Sequence, residues 1–92
     1  MKFVLNKCYG GFSLSEEACE ALGCRPYTYA DHDLRTNPEL IGIVEKLGED
    51  ACGYHAELWI VEVPDEITDW EINEYDGMEN VIYVLNGKLH HI

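Results

Sequence analysis

Ninety-two residues of which 47% are hydrophobic suffice for one globular domain, 1–92, with its own core, and they exclude a disordered acidic tail. Eighteen acidic against six basic residues give a formal charge of −12, which excludes free nucleic acid and anionic membrane as ligands, because both are bound through clustered Lys and Arg. No apolar run reaches the roughly 20 residues that span a bilayer, and the N-terminus lacks the pattern of a secretory leader, so a cytosolic protein is expected.

The first stretch, KFVLNKCYGGFSLSEEACEALG (residues 2–23), reads as a short strand, a glycine turn and a capped helix. Val4 and Leu5 supply strand character, and Gly10-Gly11 opens backbone angles closed to other residues. Ser13 followed by Glu16 forms an S-x-x-E capping box. The helix predicted over 14–22 buries Leu14, Ala18, Ala21 and Leu22 on one stripe and stops at Gly23.

Residues 24–36, CRPYTYADHDLRT, show neither helical nor strand periodicity and predict an ordered loop. Tyrosines in a long loop commonly pin it to the core. Here Tyr27, Tyr29, Asp31, His32 and Arg35 are also candidates for partner contact, since aromatic and basic residues are enriched at interface hot spots. Asn37 and Pro38 then start a helix as N-cap and first helical residue. Leu40, Ile43, Val44 and Leu47 recur at helical spacing, Gly48 ends the run, and Gly42 weakens its middle, as it would to admit a close neighbour.

From residue 54 to 63 the pattern changes to strand, YHAELWIVEV, with apolar residues on both faces, which predicts an interior strand ended by Pro64. A further strand over 68–75 puts Trp70 and Ile72 on one side and Asp69, Glu71 and Asn73 on the other, facing water. Asp76-Gly77 signals a hairpin, with Met78 to Asn80 leaving room for a longer loop before a strand over 81–85. Asn86-Gly87 signals a second reversal into residues 88–92. The sum is an α+β domain: an antiparallel sheet of about four strands with two helices packed on one face.

No nucleophile elbow, P-loop, dinucleotide fingerprint or zinc-hydrolase motif occurs, and the expectation is a protein without enzymatic activity, cofactor or metal. Asp31-His32-Asp33 and His90-His91 are adjacent residues, which point opposite ways on an extended chain and do not converge on an ion. Cys52, His55 and Glu57 form a nucleophile, base and orienter only if the fold assembles them. Cys8, Cys19, Cys24 and Cys52 lack the two-residue spacing of a zinc knuckle or redox motif and read as reduced, mostly packed thiols.

The clearest chemical signal is acidic. Asp65, Glu66, Asp69, Glu71, Glu74, Asp76 and Glu79 fall in one stretch without a basic residue, and the first six are the candidate partner-binding carboxylates. On a strand Asp69 and Glu71 share a face about 7 Å apart, close to the separation of successive phosphates on a nucleic-acid strand. The alternative is a solvated sheet face that confers only solubility.

The segments KCYGGFSLSEEA, NPELIGIVEKLGEDACG and EYDGMENV, about half the chain, resemble a group of small acidic proteins encoded by phages and prophages. In length, charge and opening the chain is similar to the type I-F anti-CRISPR proteins. The resemblance implies a non-enzymatic inhibitor in the host bacterial cytoplasm. It would bind the host crRNA-guided type I-F surveillance complex through basic backbone subunits, with possible contact to the guide RNA by the tyrosine-bearing loop, and prevent hybridisation of target DNA. The alternative is a phage accessory protein that binds another basic host factor, such as a DNA-binding regulator or polymerase subunit. Neither reading fixes the oligomeric state.

Overall fold

The computed structural model describes residues 1–23 and 32–92. The elements in chain order are strand β1 (Lys2–Asn6), helices α1 (Glu16–Leu22), α2 (His32–Arg35) and α3 (Pro38–Leu47), a 3-10 turn (Gly48–Ala51), and strands β2 (Leu58–Glu62), β3 (Asp69–Tyr75), β4 (Met78–Leu85) and β5 (Lys88–His91). The fold is α+β, as its alternating patterns require. Its strands form two antiparallel sheets, β1-β2 and β3-β4-β5, in place of a single sheet.

Burial explains the division. In β1, Val4 faces Ala18, Leu40, Ile41 and Val44 of the helices, while Phe3 and Leu5 face Val81 and the partly buried Trp70 and Ile72 of the second sheet. In β2, Leu58 and Ile60 take the helical side, and Val61 with the following Val63 takes the other. The β1-β2 ladder is therefore a middle layer between helices and the three-stranded sheet. Apolar residues on both faces of residues 58–63 arise from this layering and not from flanking strands on both edges.

Local signals were mostly realised, with shifts of position. The cap of α1 is Ser15, whose side chain accepts the Ala18 N–H, and not Ser13. Leu14 stays extended and bridges Cys52, and Ser13 donates to the Tyr54 carbonyl at 3.3 Å. Gly23 closes α1 with a left-handed φ of 78°. Asn37 caps α3 by accepting the Glu39 N–H at 2.8 Å, as its Asn-Pro start predicts. Gly42 has open space where a side chain would project, so no neighbour demands it.

The loop predicted over 24–36 contains α2 at its end, so the chain is helical at Arg35. Both hairpin signals give two-residue turns. Asp76 and Gly77 have φ of 50° and 91°, and Asn86 and Gly87 have 53° and 74°, the doubly positive pattern that matches strand twist. Met78 to Asn80 are consequently the first residues of β4 and not loop. No disulfide joins the described cysteines Cys8, Cys19 and Cys52. Among the described residues no helix is long and apolar enough to cross a membrane.

Candidate functional site: an acidic strand and its flanks

Every residue from Pro64 to Gly87 is other than Lys or Arg, and the structure turns this stretch into a surface. Asp65 and Glu66 lie in the connection before β3, Asp69, Glu71 and Glu74 lie on β3, and Asp76 lies in the turn after it. All six are exposed. They follow the seven residues of β3, a length of roughly 20–25 Å at the rise of an extended strand. Asp69 and Glu71 share the outer face with Asn73, as the alternation predicts.

The neighbouring strands add something alternation did not reveal. Register places Asp69 beside Val84 and then Leu89, and Glu71 beside Ile82 and then His91. The outer face is therefore acidic along β3 and carries Ile82, Val84 and the 74% exposed Leu89 beside the polar Asn80 and His91 along β4 and β5. It is more than a solvated polar face.

Glu79 leaves the acidic row altogether. It points inward from β4 and is 4% exposed. Its carboxylate pairs with both terminal nitrogens of Arg35, the Nη2 contact being 2.6 Å, and accepts the backbone N–H of Asn6 at 2.8 Å. Arg35, read from sequence as a partner contact, is thus an interior residue at 6% exposure, with its guanidinium 3.9 Å above the Phe12 ring. The network continues through Asn6, whose side chain donates to the carbonyls of Cys8 and Gly77 and accepts the Glu57 N–H. One buried polar cluster therefore joins β1, α2, β4 and the loops before β2.

Two lysines are engaged by neighbouring groups. Lys7 donates to the Glu79 carbonyl at 2.7 Å and the Asn80 side chain at 3.0 Å, and burial pulls its pKa below the usual lysine value against the opposing pull of Glu79. Lys2 pairs with Glu45 at 3.3 Å. The acidic strand keeps its carboxylates outside while these cations are engaged elsewhere.

Asp65 has one local cation, the Met1 amine, at 2.5 Å. Hydrogen bonding and the positive charge of that amine hold its carboxyl below the usual aspartate range. A group depressed on folding stabilises above its unfolded pKa, and that contribution is lost as pH falls through the folded value. An NMR titration of the Asp65 side-chain carbon should accordingly give a midpoint below that of a model aspartate, rising when the amine is acetylated. An unchanged midpoint after acetylation would remove the amine as its cause.

The remaining candidates separate. Tyr27, Tyr29 and Asp31 lie outside the described residues, and His32 begins α2. Cys52, His55 and Glu57 are each engaged elsewhere: Cys52 Sγ accepts the Leu58 N–H, the His55 ring lies 3.9 Å from Tyr54, and Glu57 accepts the Trp59 indole N–H. Among the described residues no group of three metal-ligating side chains converges. A groove between α1 and α3, on the helical side, is lined by Glu17, Glu20, Glu39, Ile43 and Lys46 around Gly42.

Sequence reading missed three exposed tyrosines, Tyr9, Tyr54 and Tyr75, at 68%, 87% and 71% exposure. Each lies within two residues of a glycine, and that adjacency was the available signal. No protein-family model, curated protein or solved structure matches the chain significantly.

Proposed function

We propose that the chain is a non-catalytic inhibitor that binds a cationic nucleic-acid channel on a partner protein and keeps nucleic acid out of it. The observation that carries the reading is the row of six exposed carboxylates on β3 and its flanks, in a stretch without a compensating Lys or Arg. Within it Asp69 and Glu71 stand about 7 Å apart on one strand face, the other four carboxylates flank them, and a channel lined with Lys and Arg attracts such a surface as it attracts a phosphate backbone.

The resemblance of the three segments supplies the most specific partner, the host type I-F crRNA-guided surveillance complex in the bacterial cytoplasm. The protein would then act as an anti-CRISPR inhibitor and block target DNA binding. The test is target-duplex binding by the purified complex, followed by fluorescence anisotropy with increasing amounts of this protein. DNA binding should be lost, and inhibition should weaken several-fold between about 50 and 200 mM salt, as charge-driven association does. Full DNA binding at saturating protein would overturn the assignment to this complex. Affinity capture that retrieves a DNA-binding regulator or polymerase subunit without crRNA-associated proteins would move the same acidic surface to another basic host factor.

A further inference from the structure

Three loops distant in sequence meet at one end of the molecule, and backbone contacts hold them there. A Cβ on Gly10 would collide with the His55 carbonyl, and one on Gly77 would lie 2.8 Å from the Gly11 Cα and 3.1 Å from the Tyr9 carbonyl carbon. Cys8 Sγ approaches the His55 carbonyl at 3.0 Å, and Asn6 holds the Cys8 and Gly77 carbonyls with one amide group. The loops 8–11, 53–55 and 75–77 are therefore fixed against each other by contacts too close for any side chain, and each carries one of the exposed tyrosines.

Two acidic side chains border this end. Asp76 is exposed in the turn itself, and the Glu74 carboxylate is held at the turn by accepting the Gly77 N–H at 2.5 Å. We propose that this tyrosine-bearing end, bounded by Glu74 and Asp76, is a docking site for arginine side chains of a protein partner. The proposal deepens the acidic-surface reading and rests on it.

Charge complementarity selects a cationic occupant over a nucleic acid, and the tyrosines select arginine over lysine. A guanidinium is planar, lies flat on an aromatic face and presents paired N–H donors to a carboxylate, whereas an ammonium is a compact and strongly hydrated charge. The chain uses the same chemistry internally, where Arg35 lies over Phe12 and pairs with Glu79. Loops already held by backbone contacts lose little backbone freedom on binding, so ordering of the exposed tyrosine side chains is the main entropic cost set against the aromatic contacts.

The test is a pair of NMR titrations of the whole protein with two short peptides of equal length and charge, alternating Gly-Arg and alternating Gly-Lys, at about 50 mM salt. The arginine peptide should bind about fivefold more tightly, with its largest shifts at residues 9–11, 54–55 and 75–77. The triple variant Tyr9→Ala, Tyr54→Ala, Tyr75→Ala should bind both peptides equally, and the triple Tyr→Phe variant should keep the preference. Because the three side chains are largely in solvent, both variants should fold. Equal binding of the two peptides along β3 overturns the arginine site and leaves the acidic-surface reading standing. Preference retained in the alanine variant also overturns the site, and failure of both peptides to bind overturns both proposals.

Discussion

Glu79→Ala should lower the unfolding free energy by about 3–5 kcal/mol, read as a shift of the urea midpoint at constant slope. The Glu79 carboxylate meets both terminal nitrogens of Arg35 and the Asn6 N–H in a site that is almost closed to solvent. Truncation leaves a guanidinium charge buried, with its Nε already lacking a hydrogen-bond partner among the described residues, and orphans the Asn6 N–H. Domains of this kind are stable by only about 5–15 kcal/mol, so the loss is a large fraction of the total.

The pair also makes a prediction about coupling. The double variant Arg35→Met, Glu79→Leu should be more stable than Glu79→Ala, because removing both charges removes the penalty of leaving one unpaired. A Glu79→Ala variant within about 1 kcal/mol of the parent would show that the cluster admits water and is not a closed interior site.

The position of this pair explains why part of the molecule was legible in sequence and part was not. Asn37-Pro38, Asp76-Gly77 and Asn86-Gly87 specify their structures by local backbone chemistry alone, and each appears where it was read. The period-2 pattern of β3 likewise gives its faces correctly, since it depends only on neighbours along the chain. Glu79 and Arg35 are different. Nothing in the local run EYDGMEN distinguishes an inward glutamate from its exposed neighbours, because the reason it is buried lies 44 residues away in α2.

The split into two sheets has a similar origin. Strand pattern states which face is apolar, but not whether that face meets a helix or another sheet, and β1 with β2 meets both. The acidic row was legible for a converse reason: charges that remain in solvent need no buried partner, so a run of carboxylates reads as surface, correctly for six of the seven and wrongly for Glu79. The tyrosine end was hidden because it depends on three loops converging through glycine contacts, each of which in sequence resembles an ordinary turn.

Reversing Asp65, Glu66, Asp69 and Glu71 together to lysine should weaken binding to the cationic partner by about tenfold at physiological salt. Two unit charges about 8 Å apart interact by about 0.5 kcal/mol in water, and reversal both removes an attraction and adds a repulsion. Four reversals therefore amount to about 4 kcal/mol before screening, and a Debye length of about 8 Å, equal to the separation, reduces this about 2.7-fold to about 1.5 kcal/mol, which corresponds to roughly tenfold. Replacement by Asn and Gln at the same four positions removes the attraction alone and should cost about three- to fourfold. All four side chains are exposed, so circular dichroism and the urea midpoint should change little, apart from the loss of the Asp65 contact to the Met1 amine. The graded pair distinguishes charge from shape. Equal weakening by the amide and lysine sets would assign the effect to hydrogen-bond geometry, and unchanged affinity in the lysine set would remove the β3 row from the interface.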